Sequence, residues 1–145
     1  HARPGEESRH NLAYWRYQDH SGIGPGAHGR RAGIATARHR KPETWLAAVE
    51  RDGHGLAEAR ALPPFEQASE ALLMGLRLAE GVDLDAIAAR LGLARDDLIE
   101  TRALASLAAL GLVRLASGRL TVTDAGMPVL DAVLAQLVGD RLMPV

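Results

Sequence analysis

Leu112-Val113-Arg114-Leu115-Ala116-Ser117-Gly118-Arg119-Leu120-Thr121-Val122-Thr123 is the stretch whose reading decides the fold. Two apolar arms flank Ala116-Ser117-Gly118, and β-branched residues crowd the second arm, which is the signature of a β-hairpin. Upstream, Asp96 or Asp97 heads a helix through Leu98, Thr101, Leu104, Ala105, Ala108 and Leu112, with Gly111 near its end. Before that, Leu84, Ile87, Ala88 and Leu91 trace a short helix ended by Gly92. A longer one runs from Phe65 to Glu80, with Ala68, Leu72, Leu76 and Ala79 in phase and Leu73 beside them, and Gly81 stops it. Downstream of the hairpin, Thr123 or Asp124 caps a final helix with the stripe Val129, Leu130, Val133, Leu134 and Leu137, Pro128 being tolerated in its first turns. Helix, helix, helix, hairpin, helix is a winged-helix order, so residues 61–145 are expected to form a helical, winged-helix-like domain.

Residues 1–60 read differently. The first forty are rich in Gly, Arg and His with no sustained period, which predicts turns, a short helical turn and one or two strands. Lys41-Pro42-Glu43-Thr44 then opens a helix whose face is Trp45, Leu46 and Val49, with Gly53 or Gly55 as its stop.

Composition bounds the function. The chain is 47% hydrophobic and only 3% aromatic, an Ala- and Leu-rich mixture that favours helices around a real core. Residues 1–60 carry a net +3 and residues 61–145 a net −4, within a net charge of −1 that gives no reason to expect nucleic acid or an anionic membrane. The winged-helix order raises DNA binding, but Asp96, Asp97 and Glu100 open the helix that would read bases, against only Arg95 and Arg102, so DNA binding is disfavoured. Without cysteine the chain can build no disulfide, thiolate zinc site or Fe–S cluster. No stretch reaches a membrane span and no charged-then-apolar leader opens the chain, so a cytoplasmic location is expected, with membranes reached only through partners. An opening at His1-Ala2-Arg3-Pro4-Gly5 reads as a segment of something longer.

Two clusters could carry chemistry. His10-Asn11-Leu12-Ala13-Tyr14-Trp15, followed by Tyr17 and His20, gathers most of the aromatic residues of the chain. On a helical turn His10 and Asn11 each share a face with Tyr14, so an imidazole and a phenol could point into one cavity. Imidazole ligates heme iron and aromatic faces pack on porphyrins. Read by themselves, the same residues fit a structural plug better, with Tyr14 and Trp15 closing a barrel end and His10 bonded to backbone. The second cluster, Gly22-Ile23-Gly24-Pro25-Gly26-Ala27-His28-Gly29, formally contains G-x-G-x-x-G, but no apolar strand precedes it and no helix follows, so a dinucleotide site is disfavoured. Its glycines Gly22, Gly24, Gly26 and Gly29 imply close backbone approach, to a ligand or to another segment. Arg30, Arg31, Arg38, His39, Arg40 and Lys41 could meet carboxylates, phosphates or propionates, though a solvated surface strand explains them better.

Taken in order, these elements resemble a known family. His10-Asn11-x-x-Tyr14-Trp15 resembles the HNxxYW motif of the heme chaperone branch of the oxygen-independent coproporphyrinogen III oxidase-like radical S-adenosylmethionine (radical SAM) proteins. Ala2-Arg3-Pro4-Gly5 with Ser8-Arg9 is similar to the segment before that motif, and Gly22 to Gly29 to the glycine-rich barrel element after it. Glu70-Ala71-Leu72-Leu73-Met74-Gly75-Leu76-Arg77-Leu78, followed by Gly81-Val82, is similar to the opening of the family's C-terminal domain.

The resemblance implies an α+β, mainly α chain: residues 1–60 the end of a radical SAM (β/α) barrel, residues 61–145 the winged-helix-like C-terminal domain. It further implies a parent whose N-terminal part holds a [4Fe-4S] cluster and S-adenosylmethionine on a CxxxCxxC segment, so that this cysteine-free chain runs no radical chemistry alone. In the chaperone branch heme is bound and delivered to respiratory proteins, whereas the oxidases decarboxylate coproporphyrinogen. The resemblance therefore assigns heme contact to His10, Asn11, Tyr14 and Trp15, with His10 as candidate iron ligand, Asn11 as its orienter and His28 as a weaker cofactor-facing candidate. Implied partners are heme or porphyrin, the parent's own barrel and a heme-accepting respiratory protein. Strand edges without barrel partners leave a homodimer open.

Overall fold

The computed structural model describes residues 8–138, the side chain of His10 excepted. The chain divides into two compact units: one takes in the residues up to Tyr17 together with those from Pro64 on, and the other is Gln18–Pro63. Besides the boundary between Pro63 and Pro64 there is a second one after Tyr17, because the motif helix α1 (Arg9–Trp15) packs on a helix of the C-terminal part, α3 (Pro64–Gly75).

In the first unit the strand β4 (Val82–Asp83) follows α3, and then come α4 (Leu84–Leu91), α5 (Thr101–Ala109), β5 (Val113–Ala116), β6 (Arg119–Val122) and α6 (Leu130–Val138). The sheet order is β4-β6-β5 and all pairs are antiparallel, with the expected hairpin formed by β5 and β6. Ser117 (φ 49°) and Gly118 (φ 79°) are both left-handed, as a two-residue type I′ turn requires, and its twist suits the paired strands. Asp83 caps α4, its Oδ1 accepting from the Ala86 amide at 2.9 Å, and Gly92 (φ 66°) ends it. The core is aliphatic: Leu72, Leu76, Leu84, Leu98, Leu107, Leu120 and Leu137 are fully buried, each stabilising by about 1.5–3 kcal/mol relative to exposure.

Three expectations need correction here. α3 ends at Gly75 and not at Glu80, because residues 76–80 turn back to bring Val82 against α3. The helix headed by Asp96 and Asp97 is broken: a 3-10 turn, Arg95–Asp97, leads into Leu98 and Ile99, both buried, and α5 starts only at Thr101. The Glu100 amide donates to the Leu137 carbonyl at 2.9 Å, so contact with α6 offsets the interruption, and the buried residue of α5 is Leu107 rather than Ala105 or Ala108. Likewise Thr123 Oγ1 accepts from the Gly126 amide at 3.2 Å in a turn, α6 begins later than that cap, and Val129 stays exposed.

The Gln18–Pro63 unit holds an antiparallel sheet in the order β1-β2-β3, formed by β1 (His28–Arg31), β2 (Ile34–Arg38) and β3 (Leu56–Ala61), with α2 (Pro42–Asp52) between the last two. α2 has the expected bounds, Gly53 (φ 75°) closing it, but its expected apolar face is shallow: Ala48 is buried, Trp45 and Val49 are half-covered and Leu46 is exposed. β3 was not among the expected strands, since Leu56-Ala57-Glu58-Ala59-Arg60-Ala61 has helix-favouring composition that pairing with β2 overrides. Arg30 departs from the solvated-strand reading: it is buried, and its Nη2 donates to the Gln18 carbonyl at 3.3 Å. Among the described residues no helix is long and apolar enough to cross a membrane.

Gly81 (φ 62°) is a tight point of the first unit, since a Cβ there would stand 2.1 Å from the Leu120 carbonyl oxygen, a backbone atom that cannot swing aside. Gly81→Ala should therefore lose about 2–4 kcal/mol of stability, read as a lower urea midpoint at unchanged slope; a loss within experimental error would refute this account of the β4–β6 contact.

Candidate functional site

The motif helix supplies the site. Ser8 caps α1, its hydroxyl facing the Asn11 amide at 3.5 Å, and the helix places positions 10 and 14 one turn apart, as the motif requires. Asn11 and Tyr14 are solvent-exposed, Tyr14 at 41%, while Trp15 is half-buried. The Tyr14 and Trp15 rings meet edge to face with centroids 6.1 Å apart, and the Arg77 guanidinium lies 6.0 Å from the Trp15 ring. Of His10 only the helical backbone position is described, and the Ala2–Gly5 segment of the resemblance lies outside the described residues.

Two ties hold the end of α1 to its unit. Arg16 grips Glu80 with both guanidinium arms, Nε to Oε1 at 2.7 Å and Nη2 to Oε2 at 2.9 Å. That hydrogen-bonded guanidinium holds the Glu80 carboxyl below its ordinary range against the opposing effect of partial burial, with Arg119 adding a smaller attraction. Tyr17 supplies the second tie: it is buried, and its hydroxyl donates to Glu70 Oε2 at 2.6 Å. Its backbone is left-handed, φ 57°, which costs an aromatic residue on the order of 1–2 kcal/mol and marks a place where the surroundings overrule local preference.

Beside these ties lies a cavity of about 180 Å³ lined by Trp15, Tyr17, Gly75, Val82, Ile87 and Arg90 among others. Gly75 in its lining lets Val82 approach α3 closely, since a Cβ there would meet Val82 Cγ1 at 2.3 Å. The volume falls short of the roughly 300 Å³ at which pockets for drug-sized ligands begin, so a whole tetrapyrrole does not fit inside.

The remaining candidates sit in the Gln18–Pro63 unit, with His28 exposed on β1. The glycines there have a structural reason of their own. A Cβ on Gly22 would stand 2.5 Å from the His28 carbonyl oxygen and one on Gly29 2.7 Å from the Gly22 amide nitrogen, so these two let neighbouring segments touch. Gly24 (φ 95°) and Gly26 (φ 71°) make the turn between them. Among the described residues no three His, Cys, Asp or Glu side chains gather as a metal site. Tyr17, Glu70, Glu80 and Arg90 were not singled out as site residues from the sequence, since their contacts cross 53 to 73 positions and carry no local pattern; only the position of Tyr17 next to the motif pointed to it.

Residues 62–129 match the family described as the HemN C-terminal domain. The chain is 35% identical over 137 residues to the heme chaperone HemW of Mycobacterium tuberculosis, covering 94% of this chain and 33% of that protein. It is 28% identical over 139 residues to the HemW of Bacillus subtilis, 96% of this chain and 36% of that one. Over 89 residues it is 39% identical to the mouse protein named radical S-adenosyl methionine domain-containing protein 1, mitochondrial, covering 56% and 20%. The solved Escherichia coli coproporphyrinogen III oxidase HemN, described as a radical SAM enzyme, shares the fold with a TM-score of 0.60 at 20% identity, over 81% of this chain and 27% of that one. The chain thus spans between a fifth and about a third of the length of these relatives.

The Arg16–Glu80 tie makes a pH-dependent prediction. A depressed carboxyl contributes stability above the unfolded-state value, about 4.3 for Glu, and loses it as pH falls through the lower folded value. Both side chains are more than a third exposed, so the effect stays below about 1 kcal/mol. Amide exchange in α1, corrected for its intrinsic pH dependence, should accelerate on acidification, and Glu80→Gln should reproduce the acceleration at neutral pH; unchanged protection in both would refute the tie.

Proposed function

This chain is a C-terminal portion of the HemN/HemW-like radical SAM family, a heme-related family, and on that premise we propose that it supplies the heme-contacting helix of a heme chaperone. One observation carries the reading: α1 is folded and anchored at its end, yet keeps Asn11 and Tyr14 open to solvent beside Trp15. A purely structural helix of this length would bury its large aromatics, because each ring covered adds to stability. In the proposed role His10 offers an imidazole to the iron, Asn11 orients it, and Tyr14 and Trp15 give the macrocycle an aromatic flank. The similarity to heme chaperones over 94% and 96% of the chain supports the same assignment, since it spans the motif helix as well as the winged-helix-like part.

The parent then carries heme as cargo, to be handed to a respiratory protein; the Fe–S cluster and S-adenosylmethionine belong to the parent's barrel, since this chain contributes no thiolate. His28 stands as a second cofactor-facing candidate, exposed on β1.

Heme added to the parent protein should produce a shifted Soret band. His10→Ala should abolish the shift, and Tyr14→Ala should weaken heme binding about ten-fold, as expected for loss of one ring contact. A spectrum indifferent to His10 would remove the ligand assignment. Decarboxylation of coproporphyrinogen by the reconstituted parent would replace the chaperone reading with the oxidase one.

A further inference from the structure

The cavity behind α1 has features that neither the heme-contacting helix nor the core explains. Its lining is mostly apolar, Trp15, Ala71, Val82, Ala86 and Ile87 among it, with charged residues also present. An enclosed volume near 150 Å³ admits a benzene ring, so 180 Å³ takes one ring or a branched aliphatic group.

The cations at its edge are not equivalent. Arg16 is engaged by Glu80; Arg119, outside the lining, lies 3.7 Å from Asp83 and donates to the Glu80 carbonyl at 3.2 Å. Asp83 is further engaged by the Ala86 amide, so both carboxylates of the lining already have donors. Arg90 differs: among the described residues it forms no ion pair, and its guanidinium stands 5.5 Å over the Tyr17 ring. That ring is in place only through the left-handed backbone at Tyr17 and the 2.6 Å bond to Glu70. Backbone strain of this kind clusters where a ligand is held in one geometry, and here it accompanies a cation placed at the edge of a cavity.

We propose that this cavity binds an apolar carboxylate, whose ring-sized body lies among Trp15, Val82 and Ile87 and whose carboxylate meets Arg90. Arg90 offers a planar, permanently charged fork suited to two-point contact with a carboxylate, and Tyr17 keeps that fork oriented. The propionate-bearing edge of a tetrapyrrole has this chemistry, and so does a free arylalkanoic acid. The proposal stands whether or not His10 binds iron.

The test uses the full chain with four probes: metal-free protoporphyrin IX, its dimethyl ester, 3-phenylpropanoate and 3-phenylpropanamide. Metal-free porphyrin removes the His10–iron contribution. At least one acid should bind about ten-fold tighter than its neutral counterpart, Arg90→Gln should erase that difference, and Arg90→Lys should restore part of it. Ala86→Phe, at a position exposed on α4, should fill the cavity and block the acid while leaving the thermal midpoint near wild type. A preference confined to the porphyrin pair names the tetrapyrrole as the source, and one confined to the phenylpropanoate pair names a free acid. Acid and neutral probes binding alike, an acid preference that survives Arg90→Gln, or no binding by any probe would overturn the proposal. A His10-dependent Soret shift retained in Arg90→Gln would leave the heme reading standing by itself.

Discussion

Val82 is the wedge on which the C-terminal unit depends. Its Cγ1 occupies the space that a side chain on Gly75 would need, and its backbone pairs with Leu120 at the centre of the β4-β6-β5 sheet. Gly81, just before it, lies so close to the Leu120 carbonyl that only hydrogen fits. One small residue on a helix and one on a strand approach thus set the distance between α3 and the sheet. The core leucines then fill what remains, at the density that makes protein interiors sensitive to a single methyl group. The same wedge gives the cavity beside α1 its inner wall.

Much of this was legible in the chain because its signals are local. Ser117-Gly118 specifies a tight turn, Asp83 and Gly92 bracket α4, and Pro42 and Gly53 bracket α2, each through a backbone preference acting within a few residues. The elements misread are those where distant contacts outweigh local preference. The break before α5 is stabilised by a bond from Glu100 to Leu137, and α3 stops early because Val82 must reach it. β3 carries an alternation of Ala with Glu and Arg that was available as a strand signal, but alanine is too poor a β-former for it to stand out. For the site, the cluster of His10, Asn11, Tyr14 and Trp15 was visible as a concentration of unusual residues, whereas the roles of Glu70, Glu80 and Arg90 arise only from tertiary placement.

The winged-helix order does not by itself assign a task to α5. Its outward residues include Ala105, Ala108 and Ala109, its C-cap Leu110 is 71% exposed, and Asp96 and Asp97 precede it. The fold is a scaffold, and its side chains decide what it meets. Here the polar interactions gather instead at the junction of α1, the turn of residues 76–80 and α4, where Arg16, Glu80, Asp83 and Arg119 form a connected set.

The C-terminal unit is discontinuous: α1 belongs to it, but the whole Gln18–Pro63 segment intervenes before the next residue of that unit. The Tyr17–Glu70 bond closes a loop of 53 positions, for which an unfolded chain loses entropy worth about 3.5 kcal/mol by the logarithmic length term alone. Within the part from Pro64 onward, β5 with β6 and α3 with α4 are neighbours in sequence while α3 reaches α6 across a separation as long as that of α1, and together these elements provide the surface on which α1 rests. The motif helix is therefore joined to its own domain by side-chain ties and not by chain continuity, and any ligand that rests on it doubles as the clasp that keeps it home.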